Sequence, residues 1–571
     1  MRADVSRIRH GSRVVVGVLT MALLLAACSS GDTSSTTSSP AEQTTSTADG
    51  ATTSSTAVDT ASPRGEELVV GLSTFAEDVP DPVLVSGSTA RAFLSPMFDS
   101  FINVSPEGEL IPGVFTSWEP SEDGSYWTFQ IRQGIQFHDG WGEATAEDVK
   151  FSIERFANDA EPVTSGYASS VTGTIEQVEI VDPYTVNIHT VSPDALFPSF
   201  MSQYNVVPPL MLLPKDYIEQ EGDDAFRESP IGSGPYQFES REPGSQITYV
   251  AFNDHWEIDP GYEKLRFRLL PDEASRVASL RSEEVDVIEV SPDGAIDVRA
   301  AGLDVRQSPG NIQAVVQLPG TFFWDGPTSD VTVRQALSLA INREEMIQTV
   351  LPEGALPSMP TILPANLGVD HERWQTEAGD TYRYDPDEAR RLIEEAGYPD
   401  GFDLKLYAYE LPAAPMPQMA EVIAQYWREV GVNVELQVLD FAAFRPWRDE
   451  EPNSPELLGQ AQLHRYPTTT NAASYHNFIY GQESLFRLLN DQPFQSAFPE
   501  VQEAIEAIPS EFDDDTRAQM LNSMIETTWP LYVIFPIAEI PAVFGVSPQV
   551  NWDPRPFSQI GETIVRARPA G

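Results

Sequence analysis

The sequence predicts an α/β protein, chiefly from a strand-helix-strand unit in its second half. Apolar and polar residues alternate over residues 403–408 and again over residues 432–439, which is the period of a half-buried strand. Between them, apolar residues recur at helical spacing over residues 416–430, and Gly431 stands where a helix would end. Because a helical crossover joins parallel strands, we expect the two strands to pair in parallel.

Three further elements favour the same class. Residues 67–72 predict the first strand, and apolar residues at helical spacing over residues 333–347 predict one helix. Thr332 and Gln335 have the spacing of a capping box at the start of that helix. Another helix is predicted over residues 387–396, because a glycine follows it directly.

The amino terminus has the pattern of an export signal. Four arginines precede an apolar stretch from Val14 to Leu25, which is shorter than the roughly 20 residues that span a bilayer. Cys28, the only cysteine, follows a Leu-Ala-Ala triplet, and this site resembles the bacterial lipobox. The resemblance implies that residues 1–27 are removed, that Cys28 is acylated, and that the protein is tethered outside the cytoplasmic membrane. The alternative is a cleaved signal followed by an incidental cysteine.

A flexible tether is predicted next. Residues 29–63 consist almost entirely of Ser, Thr, Ala, Asp, Gly and Pro, a composition that cannot bury enough apolar surface to fold. About 35 residues of such a coil reach roughly 30 to 35 Å. We therefore assign residues 28–65 to a tether that holds the remainder of the chain clear of the membrane.

The net charge excludes two classes of partner. The chain has 35 Lys and Arg against 86 Asp and Glu, a formal charge of −51. Such a chain repels nucleic acid and anionic lipid headgroups, so neither is an expected partner. We expect the acidic surplus to be spread over the surface, where it keeps the protein soluble; the alternative is that it attracts cationic ligands.

Several short motifs follow the tether in one order along the chain. They are Tyr126 to Gly134, Phe137 to Gly140, Ala146 to Ser152, Ile231 to Tyr236, Asn253 with Trp256, Arg276 to Val287, Val333 to Leu337 with Ala340, and Asp385-Pro386 with Ala389. Together they resemble the solute-binding proteins of peptide and nickel ABC importers, known as extracellular solute-binding family 5. Each motif is weak alone, but the set covers nearly the whole chain after the tether.

This resemblance implies a two-lobed clamshell of the periplasmic-binding-protein type. Lobe I would comprise residues 66–106, 230–316 and 540–571, and it would carry an extra subdomain at residues 107–229. Lobe II would comprise residues 317–539. A hinge would join the lobes, and they would enclose the ligand between them on closing.

The resemblance also implies a function and its partners. A monomeric, lipid-anchored receptor would capture a small solute, either an oligopeptide or a polar organic molecule, and deliver it to an ABC permease and ATPase complex. No enzymatic activity, cofactor or metal is expected. Three other functions stay open: a surface sensor or chaperone-like lipoprotein, a nickel-type metallophore binder, and a secreted hydrolase.

Two segments of the resemblance carry candidate site residues. Gly232 and Gly234 are expected to form a tight turn with Tyr236 near the cleft, since glycine allows backbone to approach backbone or ligand. Ser73 and Phe75 follow the first predicted strand, in a segment that lines the cleft in relatives, and they are expected to contact the ligand.

The stretch at residues 463–471 departs from the family pattern. Peptide binders of the family carry an aspartate there that pairs with the ligand's ammonium group, whereas this stretch contains no carboxylate. The candidate ligand-binding residues in and near it are Trp447, Arg465, Tyr466, Thr468 and Asn471. We therefore expect binding that does not depend on a free α-amine, with Arg465 favouring an acidic group. The alternative is that the alignment is shifted in this divergent region.

The sequence shows no catalytic or metal-binding motif. The seven histidines lack metal-ligand spacing, and no Gly-x-Ser-x-Gly elbow occurs. His138 and Asp139 are neighbours in a predicted turn, where adjacent side chains seldom converge. We expect His138 to have a structural hydrogen-bonding role.

Overall fold

The structure of the chain is a computed structural model that describes only part of the sequence. The described residues are 64–75, 78–85, 87–158, 165–203, 210–322, 324–358, 369–410, 415–440, 443–444, 456–467, 498–556 and 560–571. Among them, no helix combines the length and the apolar composition needed to cross a membrane.

The first half of the described chain alternates short strands and helices. Its strands are β1 (Gly65–Leu72), β2 (Ile102–Val104), β3 (Leu110–Pro112), β4 (Phe115–Pro120), β5 (Tyr126–Ile131), β6 (Ile175–Asp182), β7 (Thr185–Thr190), β8 (Tyr236–Glu242), β9 (Gln246–Ala251) and β10 (Tyr262–Leu269). Its helices are α1 (Gly87–Leu94), α2 (Ala146–Phe156), α3 (Ser165–Thr174), α4 (Phe197–Phe200), α5 (Lys215–Glu221) and α6 (Asp223–Glu228).

The second half has longer strands and helices. Its strands are β11 (Val287–Glu289), β12 (Asp304–Gln317), β13 (Leu356–Pro357), β14 (Phe402–Glu410), β15 (Val432–Asp440), β16 (Ala461–Pro467), β17 (Ile534–Val546), β18 (Val550–Asn551) and β19 (Arg568–Pro569). Its helices are α7 (Glu273–Arg281), α8 (Pro292–Ala300), α9 (Val331–Leu339), α10 (Arg343–Thr349), α11 (His371–Thr381), α12 (Pro386–Glu395), α13 (Met416–Glu429), α14 (Pro499–Ala507), α15 (Asp514–Thr528) and α16 (Ile560–Ile564).

One mixed sheet runs through the molecule in the order β15-β14-β16-β12-β17-β11-β1-β10-β9-β8, and β13 adds to β17. At its centre, β12 and β17 pair antiparallel from Asp304 opposite Val546 to Gln317 opposite Ile534. The register shifts twice along this ladder, once between Ser308 and Ile312 and once just after Ala314. The two long strands therefore connect the two ends of the sheet.

Apolar packing forms two large clusters on either side of these strands. One cluster draws mostly on residues 312–540, and the other mostly on residues 68–267 together with residues 544–567. A smaller cluster packs helices α7 and α8 against the sheet. The apolar side chains thus separate into two cores that meet at β12 and β17.

A second sheet, in the order β4-β5-β7-β6, lies within residues 107–229. This region also contacts the carboxyl-terminal part of the 312–540 segment. The Ala195 amide donates to the Pro509 carbonyl oxygen at 2.6 Å, and the rings of Trp127 and Phe512 are 6.1 Å apart. Leu196, from the same region, packs in the apolar cluster of residues 312–540.

The predicted strand-helix-strand unit is confirmed. Strands β14 and β15 pair in parallel, in register from Phe402 opposite Val432, and α13 connects them. The helix predicted to end before Gly397 is α12, and Gly397 has a φ of 95°. Only glycine adopts such a backbone conformation at little cost.

The single helix predicted over residues 333–347 is wrong. The structure has two helices there, α9 and α10, and the caps are Asp330 and Asn342 rather than Thr332. Asp330 Oδ1 accepts from the Thr332 amide at 2.8 Å. The break is stabilised by Arg343, whose guanidinium donates to the Ser338 carbonyl oxygen at 3.0 Å.

A buried carboxylate connects the segment after β1 to the helices of residues 107–229. Asp81 has no exposed surface and accepts two hydrogen bonds from Arg155, at 2.7 and 2.8 Å. Arg227 lies 3.5 Å from the same carboxylate. Paired, hydrogen-bonded geometry of this kind is what allows a charge to be buried.

We predict that Asp81→Asn lowers the free energy of unfolding by about 3 to 5 kcal/mol, because two largely buried guanidinium groups would lose their buried counter-charge and keep only the more exposed Asp223 and Asp224. The matched control is Asp224→Asn, since Asp224 pairs with the same Arg227 but its side chain is fully exposed. Urea unfolding followed by tryptophan fluorescence is the measurement. Equal midpoints for the two variants would contradict the prediction.

Candidate functional site

The Gly232–Tyr236 turn lies against the end of α1. A Cβ atom on Gly232 would come within 2.0 Å of the Met97 carbonyl oxygen, and one on Gly234 within 2.7 Å of the Pro96 carbonyl oxygen. The Tyr236 amide donates to the same Pro96 oxygen at 2.9 Å. The glycines are therefore required because two backbone segments pack in direct contact.

His138 holds this turn from its other side, as the predicted structural role requires. Its Nδ1 accepts from the Gly232 amide at 3.2 Å, and its Nε2 donates to the Gly234 carbonyl oxygen at 2.9 Å. These partners fix the neutral imidazole, and burial lowers the pKa of His138 to about 4. Asp139 is exposed and does not pair with it, so the two residues are not a catalytic pair.

The predicted lobe I residues occupy two different environments. Ser73 lies just beyond β1, and its hydroxyl donates to Glu289 Oε2 at 3.2 Å. Phe75 is only 2% exposed and packs edge-on against Phe93, with ring centroids 5.8 Å apart. Ser73 thus stands at the end of a strand with a polar neighbour, whereas the Phe75 ring is part of the core.

Arg465 and Tyr466 lie near the end of β16 and point to opposite faces of the sheet, as successive strand residues must. Tyr466 is opposite Gln313, and Arg465 is opposite Ala314. Tyr466 is only 2% exposed, and its hydroxyl donates to Gln317 Oε1 at 2.6 Å. Burial lowers the pKa of the Arg465 guanidinium.

The face that carries Tyr466 is polar and aromatic, and we call it the polar sheet face. Its members by strand register are Tyr407, Tyr409, Gln462, His464, Tyr466, Gln313, Gln317 and Glu539. The opposite face of β14 carries Leu404 and Leu406, which pack in the same apolar cluster as α13. Val315 also lies on this face, opposite His464, and Tyr407 and Tyr409 pack there against Phe444 and Leu457. Because most of its side chains are polar or aromatic, the polar sheet face is the candidate ligand-binding surface of this half of the molecule.

Hydrogen bonds connect most side chains of the polar sheet face. Gln317 Nε2 donates to Gln462 Oε1 at 2.8 Å, and Tyr409 Oη lies 2.8 Å from His464 Nδ1. Gln313 Nε2 donates to Ser358 Oγ at 2.5 Å. Buried polar groups need such partners, and here they hold the side chains in fixed positions.

Glu539 was missed by the sequence analysis. It lies on β17 opposite Gln313, which is itself opposite Tyr466, so the three residues form one row across the sheet. At about 4.8 Å between strands, its Cα is about 10 Å from that of Tyr466. Stretch 463–471 itself has no carboxylate, as the sequence shows, but Glu539 brings one to the same face of the sheet two strands away. A lone acidic residue within the apolar run of residues 533–546 was the signal in the sequence.

Some predicted residues lie outside the described part of the chain. They are Cys28, Trp447, Thr468 and Asn471. Among the residues that the structure does describe, no group of three or more His, Cys, Asp or Glu side chains is placed to hold a metal ion.

Comparison with known proteins gives the class of this molecule. The model of the family described as "Bacterial extracellular solute-binding proteins, family 5 Middle" matches residues 109–473. The chain therefore belongs to the bacterial extracellular solute-binding proteins of family 5. It is similar to the dipeptide-binding protein of Escherichia coli (strain K12), with 29% identity over 430 residues that cover 70% of this chain and 76% of the relative.

Solved structures show the same fold. One is an ABC transporter-associated periplasmic binding protein of Helicobacter pylori in complex with the peptide STSA, with a TM-score of 0.69 and 21% identity over 89% of this chain and 99% of that chain. Another is a binding protein of A. tumefacien R10 in complex with mannopinic acid. Its TM-score is 0.67, and the identity is 22% over 89% of this chain and 100% of that chain. The two-lobed α/β fold predicted from the sequence is thus confirmed, and these relatives are binding proteins rather than enzymes.

We predict that His138 makes the protein less stable in acid. Its pKa is about 4 in the folded protein against 6.5 when free, so between these values the unfolded chain binds a proton that the folded chain does not. Stability should fall by about 3 kcal/mol as pH drops from 6.5 to 4. The free energy of unfolding, measured across this pH range, should depend less on pH in His138→Asn than in wild type, because asparagine does not titrate.

Comparing wild type with His138→Asn separates the contribution of His138 to the pH dependence of stability from that of the carboxyl groups. Burial raises the pKa of Glu289 and Glu539, and these groups change stability in the opposite direction, equally in wild type and variant. Parallel pH profiles for wild type and His138→Asn would contradict the prediction.

Proposed function

We propose that this chain is the extracytoplasmic substrate-binding lipoprotein of an ABC importer. It captures an oligopeptide or another small polar solute and delivers it to the permease and ATPase complex. The observation that carries the proposal is the family match over residues 109–473. The dipeptide named for the E. coli relative and the peptide bound to the H. pylori protein favour an oligopeptide, and mannopinic acid in a third relative supports a polar organic solute as the alternative.

The proposed hinge lies in β12 and β17. The register of their ladder shifts between Ser308 and Ile312 and again after Ala314, and such irregularities locally disrupt pairing and bend strands. Bending at the first shift would move the two apolar clusters relative to each other with little repacking inside either, because the 312–540 cluster begins at Ile312. The proposed boundaries are residues 66–106, 230–316 and 540–571 for lobe I, 107–229 for its subdomain, and 317–539 for lobe II.

The proposed solute site lies where strands of both lobes end at the hinge. On one side is Ser73, beyond the end of β1 and bonded to Glu289. On the other side is the end of β16, where Tyr466 is opposite Gln313 of β12. An extended peptide placed between strand ends can add main-chain hydrogen bonds to either one, which gives affinity with little side-chain selectivity. Phe75, Trp447, Arg465, Thr468 and Asn471 remain candidate contacts of this site.

Ligand capture and closure can be tested together on the protein without residues 1–27. Mass spectrometry of copurifying small molecules identifies the solute, and that solute is then added back to stripped protein. We expect a smaller radius of gyration by X-ray scattering and a rise in stability of about 2.7 kcal/mol at a ligand concentration 100 times Kd. Scattering curves that superimpose with and without tightly bound ligand would refute closure.

Anchoring through Cys28 is tested separately in cells. We expect Cys28→Ala to release the protein into the medium or to leave it unprocessed, because the acceptor of the lipid is removed. Cys28→Ser is a matched control for the size of the side chain and should behave in the same way. Unchanged membrane retention with normal signal cleavage in both variants would refute the lipid anchor.

A further inference from the structure

The further inference rests on the proposed solute-binding function and concerns the charge of the solute. Its starting point is the row of Tyr466, Gln313 and Glu539 on the polar sheet face. On the far side of Glu539 the row continues to Leu356 of β13. The row therefore crosses four strands, and it contains a single carboxylate.

Exposure increases along this row toward Glu539. Tyr466 and Gln313 are 2% and 1% exposed, Glu539 is half-buried, and Leu356 is 56% exposed. The carboxylate thus lies at the point where the row opens from the interior to solvent. A solute entering from the open side would reach Glu539 before the buried tyrosine.

Glu539 differs in its neighbours from three other carboxylates of low exposure. Asp81 is paired with Arg155, Glu562 lies 2.6 Å from Arg91, and Glu289 accepts from the Ser73 hydroxyl. Within the part of the chain that the structure describes, the Glu539 side chain has neither a hydrogen bond nor an ion pair. Burial alone raises its pKa. A half-buried carboxylate that has no protein partner in the described chain, and whose pKa is raised, is typical of a functional site.

Arg465 does not neutralise Glu539. Arg465 is opposite Ala314 of β12, which is opposite Ala538 of β17, and these residues lie on the other face of the sheet. The two side chains therefore leave the sheet in opposite directions. The negative charge on the polar sheet face is available to a bound molecule.

We propose that Glu539 supplies the counter-charge for a cationic group, an ammonium or a guanidinium, on the solute that binds between the lobes. The carboxylate accepts charge-assisted hydrogen bonds from that group, which are stronger than those between neutral groups. A neutral or acidic solute leaves the carboxylate desolvated without compensation, so the same residue discriminates against it. Where the cationic group is the peptide's α-ammonium, this inference is opposed to the expectation that binding is independent of a free amine; where it is a side chain, the two are compatible.

The test is calorimetry with two matched pairs of tripeptides. One pair is trialanine and N-acetyl-trialanine, and the other is Ala-Lys-Ala and Ala-norleucine-Ala. Wild type should bind the member with the additional cationic group of at least one pair about 10 to 100 times more tightly, which corresponds to about 1.4 to 2.7 kcal/mol. Glu539→Gln should abolish this preference, and Glu539→Asp should retain part of it because the charge is kept.

The matched control is Glu421→Gln, which removes the same charge from an exposed position on α13 and should leave the preference unchanged. Glu539→Gln should be at least as stable as wild type. If it is much less stable and the preference persists, the carboxylate serves an internal ion pair and the inference is refuted. If it weakens both members of a pair equally, the inference is refuted as well.

A second measurement separates the inference from the proposed function. If none of the peptides binds wild type, the oligopeptide proposal fails, and the inference is then judged on the small molecule that copurifies with the protein. A copurified solute with an ammonium or guanidinium group supports the role of Glu539, provided that Glu539→Gln no longer retains it. A solute without any cationic group refutes it while leaving solute capture intact.

Discussion

The antiparallel pairing of β12 with β17 is the interaction on which the rest of the structure depends. These strands of 14 and 13 residues are the longest in the described chain, and every other strand of the main sheet is attached to one side of their ladder. Without this ladder, each half of the sheet would expose an unpaired edge, which favours aggregation. The first shift in its register, between Ser308 and Ile312, lies where the two large apolar clusters meet, and the second lies just inside the 312–540 cluster.

Arginines have a structural role inside this strongly acidic protein. Arg334 and Arg343 are nearly completely buried, and each donates to several main-chain carbonyl oxygens, among them that of Ser338 near the end of α9 and that of Pro536 on β17. Burial lowers the pKa of both guanidinium groups to about 10. Both lie in or near the motif at residues 333–340, which explains that motif as a packing requirement between α9, α10 and β17. Charged residues in a family motif can therefore mark buried structure rather than a binding site.

The polar sheet face combines a rigid arrangement of side chains with a carboxylate at its border. Its glutamine, histidine and tyrosine side chains are bonded to one another, so they are held in place and do not need a ligand for stability. Glu539 lies at the border of this network, and in the described part of the chain no other side chain pairs with it. A surface whose side chains are already held in place by hydrogen bonds loses little entropy on binding.

The sequence alone determined the α/β class, the strand-helix-strand unit, the glycine turn at Gly232 and the structural role of His138, because hydrophobic period and glycine positions report local backbone conformation. It also led to the family, through motifs that lie in order along the chain. It could not determine which distant strands pair. Tyr466 bonds to Gln317, 149 residues away, and Glu539 comes from a third strand. Only the tertiary structure decided that Arg465 and Tyr466 face opposite ways and that a carboxylate shares a row with the tyrosine, since register between distant strands is set by packing.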